Sequence, residues 1–373
     1  MKLPPFRLEE FWKKYEFTTP YILCSSDAEG WTRKELLALA DRDERERWDH
    51  LSLNYTEIPG LTPLREEISK LYTDIQPEEI FTFAGAEEGI YCLMQVLVQP
   101  NDHVIVVEPA YQSLKELPLL LGADVTSVAL QAKNKWQLSL EQMEKAFRKD
   151  TKLVVLNYPH NPTGALLSEE VLDGIVRLAN KCGAYIFSDE VYRLLEIDPA
   201  QRVPAIADVY EKGISLNVMS KAFGLAGLRV GWLASKDKKL IRQTGCYKVY
   251  TSICNSAPSE VLSLIALRAK EKVIARNRKI VLDNLSLLDA FIERNKERVS
   301  WVRPQSGTMA LLELLLPVSV EDFTKELAQQ AGVLVMPASC WNLPGNYFRI
   351  GFGKKNMPEI LVRFENFLHT YTK

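Results

Sequence analysis

Read along the chain, the apolar positions fall into two alternating patterns. Short runs rich in β-branched residues, at 80–83, 103–107, 152–157, 185–188, 214–219 and 230–234, predict strands. Between several of them lie amphipathic stretches with helical spacing, such as 87–98, 140–147 and 169–182. Strand–helix alternation of this kind is the pattern of a largely parallel sheet covered by helices on both faces. From residue 258 to about 295 the pattern becomes one long, charge-rich helical stretch. Beyond it, 301–316, 333–336 and 347–352 predict strands, and 320–331 and 357–370 predict helices. The expected organisation is an N-terminal arm that joins a small domain (1–44), a large domain (45–260) and a smaller C-terminal domain (261–373).

Composition narrows the class without naming a chemistry. The chain has 373 residues, 47% apolar and 25% charged, long enough for one large core and a second, smaller one. A net charge of −2 gives no reason to expect nucleic acid or an anionic membrane surface as a partner. No apolar run approaches the ~18 residues that would span a bilayer, and the first residues lack the apolar stretch of a secretory signal. Cysteines at 24, 92, 182, 246, 254 and 340 are scattered, and the histidines at 50, 103, 160 and 369 show no metal-ligand spacing. The expectation is a cytoplasmic protein with reduced thiols and no structural metal.

Chemistry concentrates in loops that follow the apolar runs. In Met219-Ser220-Lys221-Ala222-Phe223-Gly224-Leu225-Ala226-Gly227-Leu228-Arg229, a lysine stands where an apolar strand gives way to a glycine-spaced turn. Most lysines are solvated surface charges. Desolvation at this place instead favours a free amine, the form that condenses with an aldehyde. Arg229 carries a permanent charge in a fork that suits phosphate. Asp189 ends the run Tyr185-Ile186-Phe187-Ser188, at the strand end where α/β sheets place ligands. Alone it could be a helix cap; beside a reactive lysine it can face a pyridine nitrogen. Tyr192, three residues on, is either a packed tyrosine or a hydrogen-bond donor to the same ring.

Two further segments and two single residues are weak alone. Asn157-Tyr158-Pro159-His160-Asn161-Pro162-Thr163-Gly164 is a rigid loop that presents Asn161. Phe83-Ala84-Gly85-Ala86-Glu87 turns a strand into a helix whose first N–H groups can hold phosphate. It lacks the signatures of a P-loop and of a dinucleotide fold. Tyr111 follows the run at 103–107 and could stack on a flat ring. Arg349 lies within an apolar strand pattern, where a charge needs an anionic partner. Trp31, Trp341 and Tyr21 could line a pocket or pack.

Taken together and in this order, the segments resemble the class I/II aminotransferases, enzymes of fold type I that depend on pyridoxal 5′-phosphate (PLP). The resemblance implies an α/β large domain with a mostly parallel seven-stranded sheet flanked by helices, plus a smaller α+β domain. It implies that Lys221 carries the cofactor and shuttles the substrate's α-proton, and that Asp189 faces the ring nitrogen. Asn161 and Tyr192 match the partners of the phenolic oxygen, and Tyr111 the stacking aromatic. Gly85, Ala86 and Glu87, with Arg229, match the phosphate site. Tyr55 resembles a tyrosine supplied by the neighbouring subunit, which implies a homodimer with a shared active site. Arg349 matches the arginine for the substrate carboxylate, with Asn161 beside it. The implied activity moves an amino group between an L-amino acid and a 2-oxo acid. A lyase, decarboxylase or cyclase would use the same residues. A ligand sensor of this family usually carries a DNA-binding domain, for which the segment before Tyr15 leaves no room.

Three positions depart from the family pattern. Val218 replaces a phosphate-binding hydroxyl, and Ser220 is the candidate substitute. The stretch Pro337-Ala338-Ser339-Cys340-Trp341 replaces one that usually contains Pro-Gly, and Cys24-Ser25-Ser26-Asp27 stands where a glycine normally approaches the substrate. The resemblance also implies a cis peptide at Glu108–Pro109, at Asn161–Pro162, or at both, where the ordinary expectation is trans.

Overall fold

A computed structural model describes residues 3–371. Its strands are β1 (Tyr21–Ile22), β2 (Ile80–Phe83), β3 (His103–Glu108), β4 (Asp124–Ala129), β5 (Thr151–Asn157), β6 (Tyr185–Asp189), β7 (Gly213–Val218), β8 (Gly231–Ala234), β9 (Val299–Trp301), β10 (Met309–Leu314), β11 (Val333–Leu334), β12 (Met336–Pro337) and β13 (Tyr347–Gly351). Seven of them form the central sheet, in the order β2-β8-β7-β6-β5-β3-β4. The run from β4 to β7 is parallel, and β8 opposes both of its neighbours. The carboxyl ends of β2, β3, β5, β6 and β7 therefore share one edge with the amino end of β8.

The apolar runs are apolar because both faces are buried. Val104, Val106, Leu153, Val155, Ile214 and Leu216 pack into the core on one side. Ile105, Val107, Val154, Leu156 and Ile186 pack into the core on the other. The smaller unit wraps helices Val320–Ala331 and Met357–Thr370 around an antiparallel sheet, β12-β13-β10-β9. Its own core centres on Phe291, Phe323, Phe348 and Phe364. β1 pairs in parallel with β11, which fastens the N-terminal segment to this unit. No helix of the described residues is long and apolar enough to cross a membrane.

The structure departs from the sequence pattern in three places. β4 is not among the predicted strands: it lies at the sheet edge, and its mixed exposed and half-buried positions carry no continuous apolar run. The helical stretch after residue 258 is two helices, Ala257–Arg268 and Lys270–Arg294, separated at Ala269. Residues 261–267 are buried against the central sheet's core, whereas the second helix buries only a stripe through Val273, Val281, Leu288 and Phe291. The two serve different surroundings, so the axis turns between them. The patterns at 301–316 and 333–336 each split, into β9 with β10 and into β11 with β12.

Candidate active site

A cavity of about 410 Å³ opens at the shared strand edge. Asn161, Asp189, Tyr192, Ser220, Lys221, Arg229, Tyr111, Ala86, Glu87 and Arg349 all line it. Topology explains the convergence: each comes from a loop at the carboxyl end of a strand, except Arg229, which precedes the opposed strand β8, and Arg349, which the small unit supplies from β13.

Lys221 is half-buried, and its Nζ donates to Ser26 Oγ at 2.8 Å and lies 5.5 Å from the Tyr192 ring centroid. Its loop is pinned from behind, where buried Asn277 donates to the Ala222 carbonyl at 2.8 Å. Asp189 is 5% exposed, and its Oδ1 accepts the Val191 N–H at 3.2 Å. Burial pushes its carboxyl from 3.8 up to about 7; the Val191 N–H and Lys221 oppose this, and Glu87 and Glu190 add to it. Asn157 donates to the Asp189 carbonyl at 3.0 Å and accepts the Asn161 N–H at 3.0 Å, so one side chain joins the two loops. The peptides at Glu108–Pro109 and Asn161–Pro162 are cis, as the resemblance implies, and so is Tyr158–Pro159.

Gly85 precedes helix Ala86–Leu97 with φ +89°, a conformation that side chains rarely adopt, and the fold leaves it no room for one. A Cβ there would fall 2.3 Å from Arg229 Nη2, so the guanidinium lies directly over the helix start. Ser220 Oγ is 3.5 Å from Arg229 Nη1. Ser220, the candidate substitute for the hydroxyl absent at Val218, therefore stands beside Arg229. Glu87 accepts from Ser113 Oγ at 3.0 Å, and burial pushes its carboxyl up.

Arg349 is 1% exposed. Its Nη1 donates to Asn161 Oδ1 at 3.2 Å and its Nη2 to the Cys24 carbonyl at 2.8 Å, while Nε has no partner. Trp341 packs on the guanidinium at 4.8 Å. Trp31 instead packs on Arg276 at 4.0 Å and Tyr21 on Arg363 at 4.1 Å, neither in the cavity lining. Tyr55 is 85% exposed and does not join the cavity within one chain.

Sequence reasoning assigned no role to Ser26, Leu8, Glu9 or Trp12, which all line the cavity. Ser26, the partner of Lys221, lies 195 residues from it in the chain. Its signal was the polar Ser25-Ser26-Asp27 directly after the apolar run Tyr21-Ile22-Leu23-Cys24. Leu8, Glu9 and Trp12 reach the cavity from the amphipathic helix Arg7–Tyr15, which packs on the turn Ala338–Trp341. Leu8 and Trp12, four apart, were the readable stripe.

The cavity suits PLP on its own geometry. The Tyr192 hydroxyl is buried without a partner, and a guanidinium stands over a helix start whose first N–H groups have no intrahelical acceptor. The model of the family described as aminotransferase class I and II matches residues 22–364. An aspartate aminotransferase of Thermotoga maritima is 30% identical over 336 residues, covering 85% of this chain and 84% of that protein. One of Pyrococcus horikoshii is 29% identical, covering 90% and 88%. The crystal structure of a PLP-dependent aminotransferase from Streptococcus suis superposes with a TM-score of 0.94 at 33% identity, over 100% of both chains. With family, fold and cavity in agreement, the chain belongs to the class I and II aminotransferases, PLP-dependent enzymes that move an amino group between an amino acid and a 2-oxo acid.

Proposed function

We propose that this transfer runs in the cavity at the strand edge, with Lys221, Asp189 and Tyr192 as catalytic residues. The observation that carries the reading is that the Lys221 amine and the Asp189 carboxylate open into one cavity from the adjacent strands β7 and β6. When bound, the cofactor supplies a ring that accepts the charge left as the Cα proton departs, and it stores the amino group between half-reactions. Lys221 holds it covalently through Nζ. Once released, the same amine takes the proton from the substrate Cα and returns it one carbon away. Ser26 Oγ, 2.8 Å from Nζ, aims the amine at that proton.

Asp189 faces the ring nitrogen, where a cation relieves the cost of its burial. Asn161 accepts from Arg349 through Oδ1, which leaves its amide hydrogens for the phenolic oxygen, and the buried, unpartnered Tyr192 hydroxyl is free to donate to the same atom. Tyr111 stacks on the ring. The N–H groups of Ala86 and Glu87 after Gly85, with Arg229 and Ser220, hold the phosphate. Arg349 binds the substrate α-carboxylate, which compensates a guanidinium whose burial works against its charge.

The working unit is a homodimer in the cytoplasm, with Tyr55 of each chain reaching the other's phosphate. Support comes from exposed apolar residues on one part of the surface: Leu53 at 81%, Tyr55 at 85%, Tyr250 at 90% and Ile253 at 43%. The decisive experiment is Lys221→Ala, assayed by following loss of the bound cofactor's absorbance as amino acids are added, with 2-oxo acids as acceptors. Turnover disappears; near-normal turnover in the variant refutes the assignment.

A further inference from the structure

Lys248 is a lysine with no exposed surface. It sits on helix Lys238–Val249 with Nζ 5.5 Å from the Phe81 ring and 5.9 Å from the Phe83 ring. It donates to two carbonyls, Ile58 at 3.1 Å and Thr82 at 2.9 Å. Glu260, equally buried, comes from helix Ala257–Arg268. Its Oε2 accepts the Leu61 N–H at 3.1 Å and its Oε1 the Thr82 hydroxyl at 3.2 Å. Two opposite charges are thus buried on either side of one short segment, 58–61, without an ion pair between them.

That segment is held at nearly every residue. The Thr82 N–H donates to the Pro59 carbonyl at 2.9 Å, and Arg65 Nε to the Gly60 carbonyl at 3.0 Å. Gly60 has φ +105°, and a Cβ there would meet Thr82 Oγ1 at 2.3 Å, so the segment is pressed directly on β2. Just before it, the chain is bare: Leu53 and Tyr55 are 81% and 85% exposed. The helix that carries Lys248 ends in the same bare region, with Val249 at 42% and Tyr250 at 90%. A rigid base under an exposed tip needs an explanation. Buried charges do not supply it as stability, since apolar residues of the same volume do as well or better. They do fix a register, because each charge is satisfied only by particular backbone atoms.

We propose that Lys248 and Glu260 are positioning residues that act across the dimer, holding segment 56–61 so that Tyr55 reaches the phosphate site of the partner subunit. The inference rests on the shared site proposed above and adds to it a prediction of direction. Damage to Lys248 in one chain lowers cofactor binding in the other chain and leaves its own site intact.

Mixed dimers test that direction. Lys248→Met homodimers lose cofactor affinity on the order of tenfold, the effect of one lost hydrogen bond to a charged group. In a heterodimer of a Lys248→Met chain with a Lys221→Ala chain, the one functional lysine belongs to the Lys248→Met chain and receives Tyr55 from an intact loop. Cofactor fixed by borohydride and turnover per Lys221-bearing site return to wild-type values. When Lys221→Ala and Lys248→Met are on the same chain, opposite a wild-type chain, both stay depressed. The opposite pattern, or depression in both arrangements, overturns the inference. If Lys248→Met does not fold, Glu260→Gln, which keeps the shape and removes one charge, takes its place. Failure of both to fold assigns the pair to the stability of its own chain and overturns the inference as well. Sedimentation of the wild type separates the two readings: a monomer refutes the shared site itself, whereas a dimer without the crossed rescue refutes only the role of Lys248.

Discussion

Asp189 gives the sharpest test of the cavity's electrostatics, because burial opposes its ionisation while a bound cofactor's ring cation favours it. The carboxyl is 5% exposed, and burial lifts it from 3.8 to about 7. An acid raised in the folded state holds its proton there while the unfolded chain has already lost it. Its contribution to stability is therefore fully present below pH 3.8 and is lost as the pH rises through about 7. At 1.4 kcal/mol per tenfold the displacement corresponds to up to about 4 kcal/mol. Asp189→Asn removes the titration and keeps the shape. Urea unfolding of the cofactor-free protein, measured for both forms between about pH 4 and 8, gives the difference that isolates this group. The wild type loses ground to Asp189→Asn steadily across that range. With saturating cofactor the carboxylate has a cationic partner, so the wild type no longer loses ground between about pH 5 and 8, and Asp189→Asn binds the cofactor more weakly. A stability difference that is flat with pH in the cofactor-free protein refutes the reasoning, since it means that the carboxylate is already paired or solvated.

Two further substitutions separate the phosphate end from the substrate end. Gly85→Ala forces a side chain into φ +89° and against Arg229, and costs about 1–3 kcal/mol with weaker cofactor binding. Gly227→Ala, where a Cβ meets nothing within 4 Å, is nearly neutral, and thermal unfolding with cofactor titration distinguishes the two. Arg349→Lys replaces a planar fork by a point charge that cannot hold both oxygens of a carboxylate. KM for amino acids rises about 10–100-fold while cofactor affinity stays within error, as steady-state kinetics and absorbance titration will show.

The large sheet was readable because a strand buried on both faces leaves a continuous apolar run, and those at 103–107 and 152–157 could hardly be anything else. β4 was not readable for the converse reason: at the edge, Asp124, Thr126 and Ser127 are tolerated, and the run dissolves. The break at Ala269 has no proline or glycine to announce it. It reflects a change in what the helix packs against, which is a property of the folded molecule.

The site divides along the same line. Residues that leave the end of a predicted strand, such as Asp189, Asn161 and Lys221, could be placed from sequence because the strand fixes where its carboxyl end must be. Arg349 arrives from the small unit but stands out as a charge in an apolar strand, whereas residues that arrive from elsewhere without such a mark could not be placed. Ser26 meets Lys221 only because β1 pairs with β11 and brings the N-terminal segment back to the small unit. Lys248 shows the limit most clearly. In the sequence it is one lysine among many near the end of an amphipathic helix. Folding places it between two phenylalanines with backbone carbonyls as its acceptors, the opposite of the solvated face that its residue type predicts. The carbonyls it meets belong to residues 58 and 82, far from it in the chain, and nothing in the sequence around position 248 announces them.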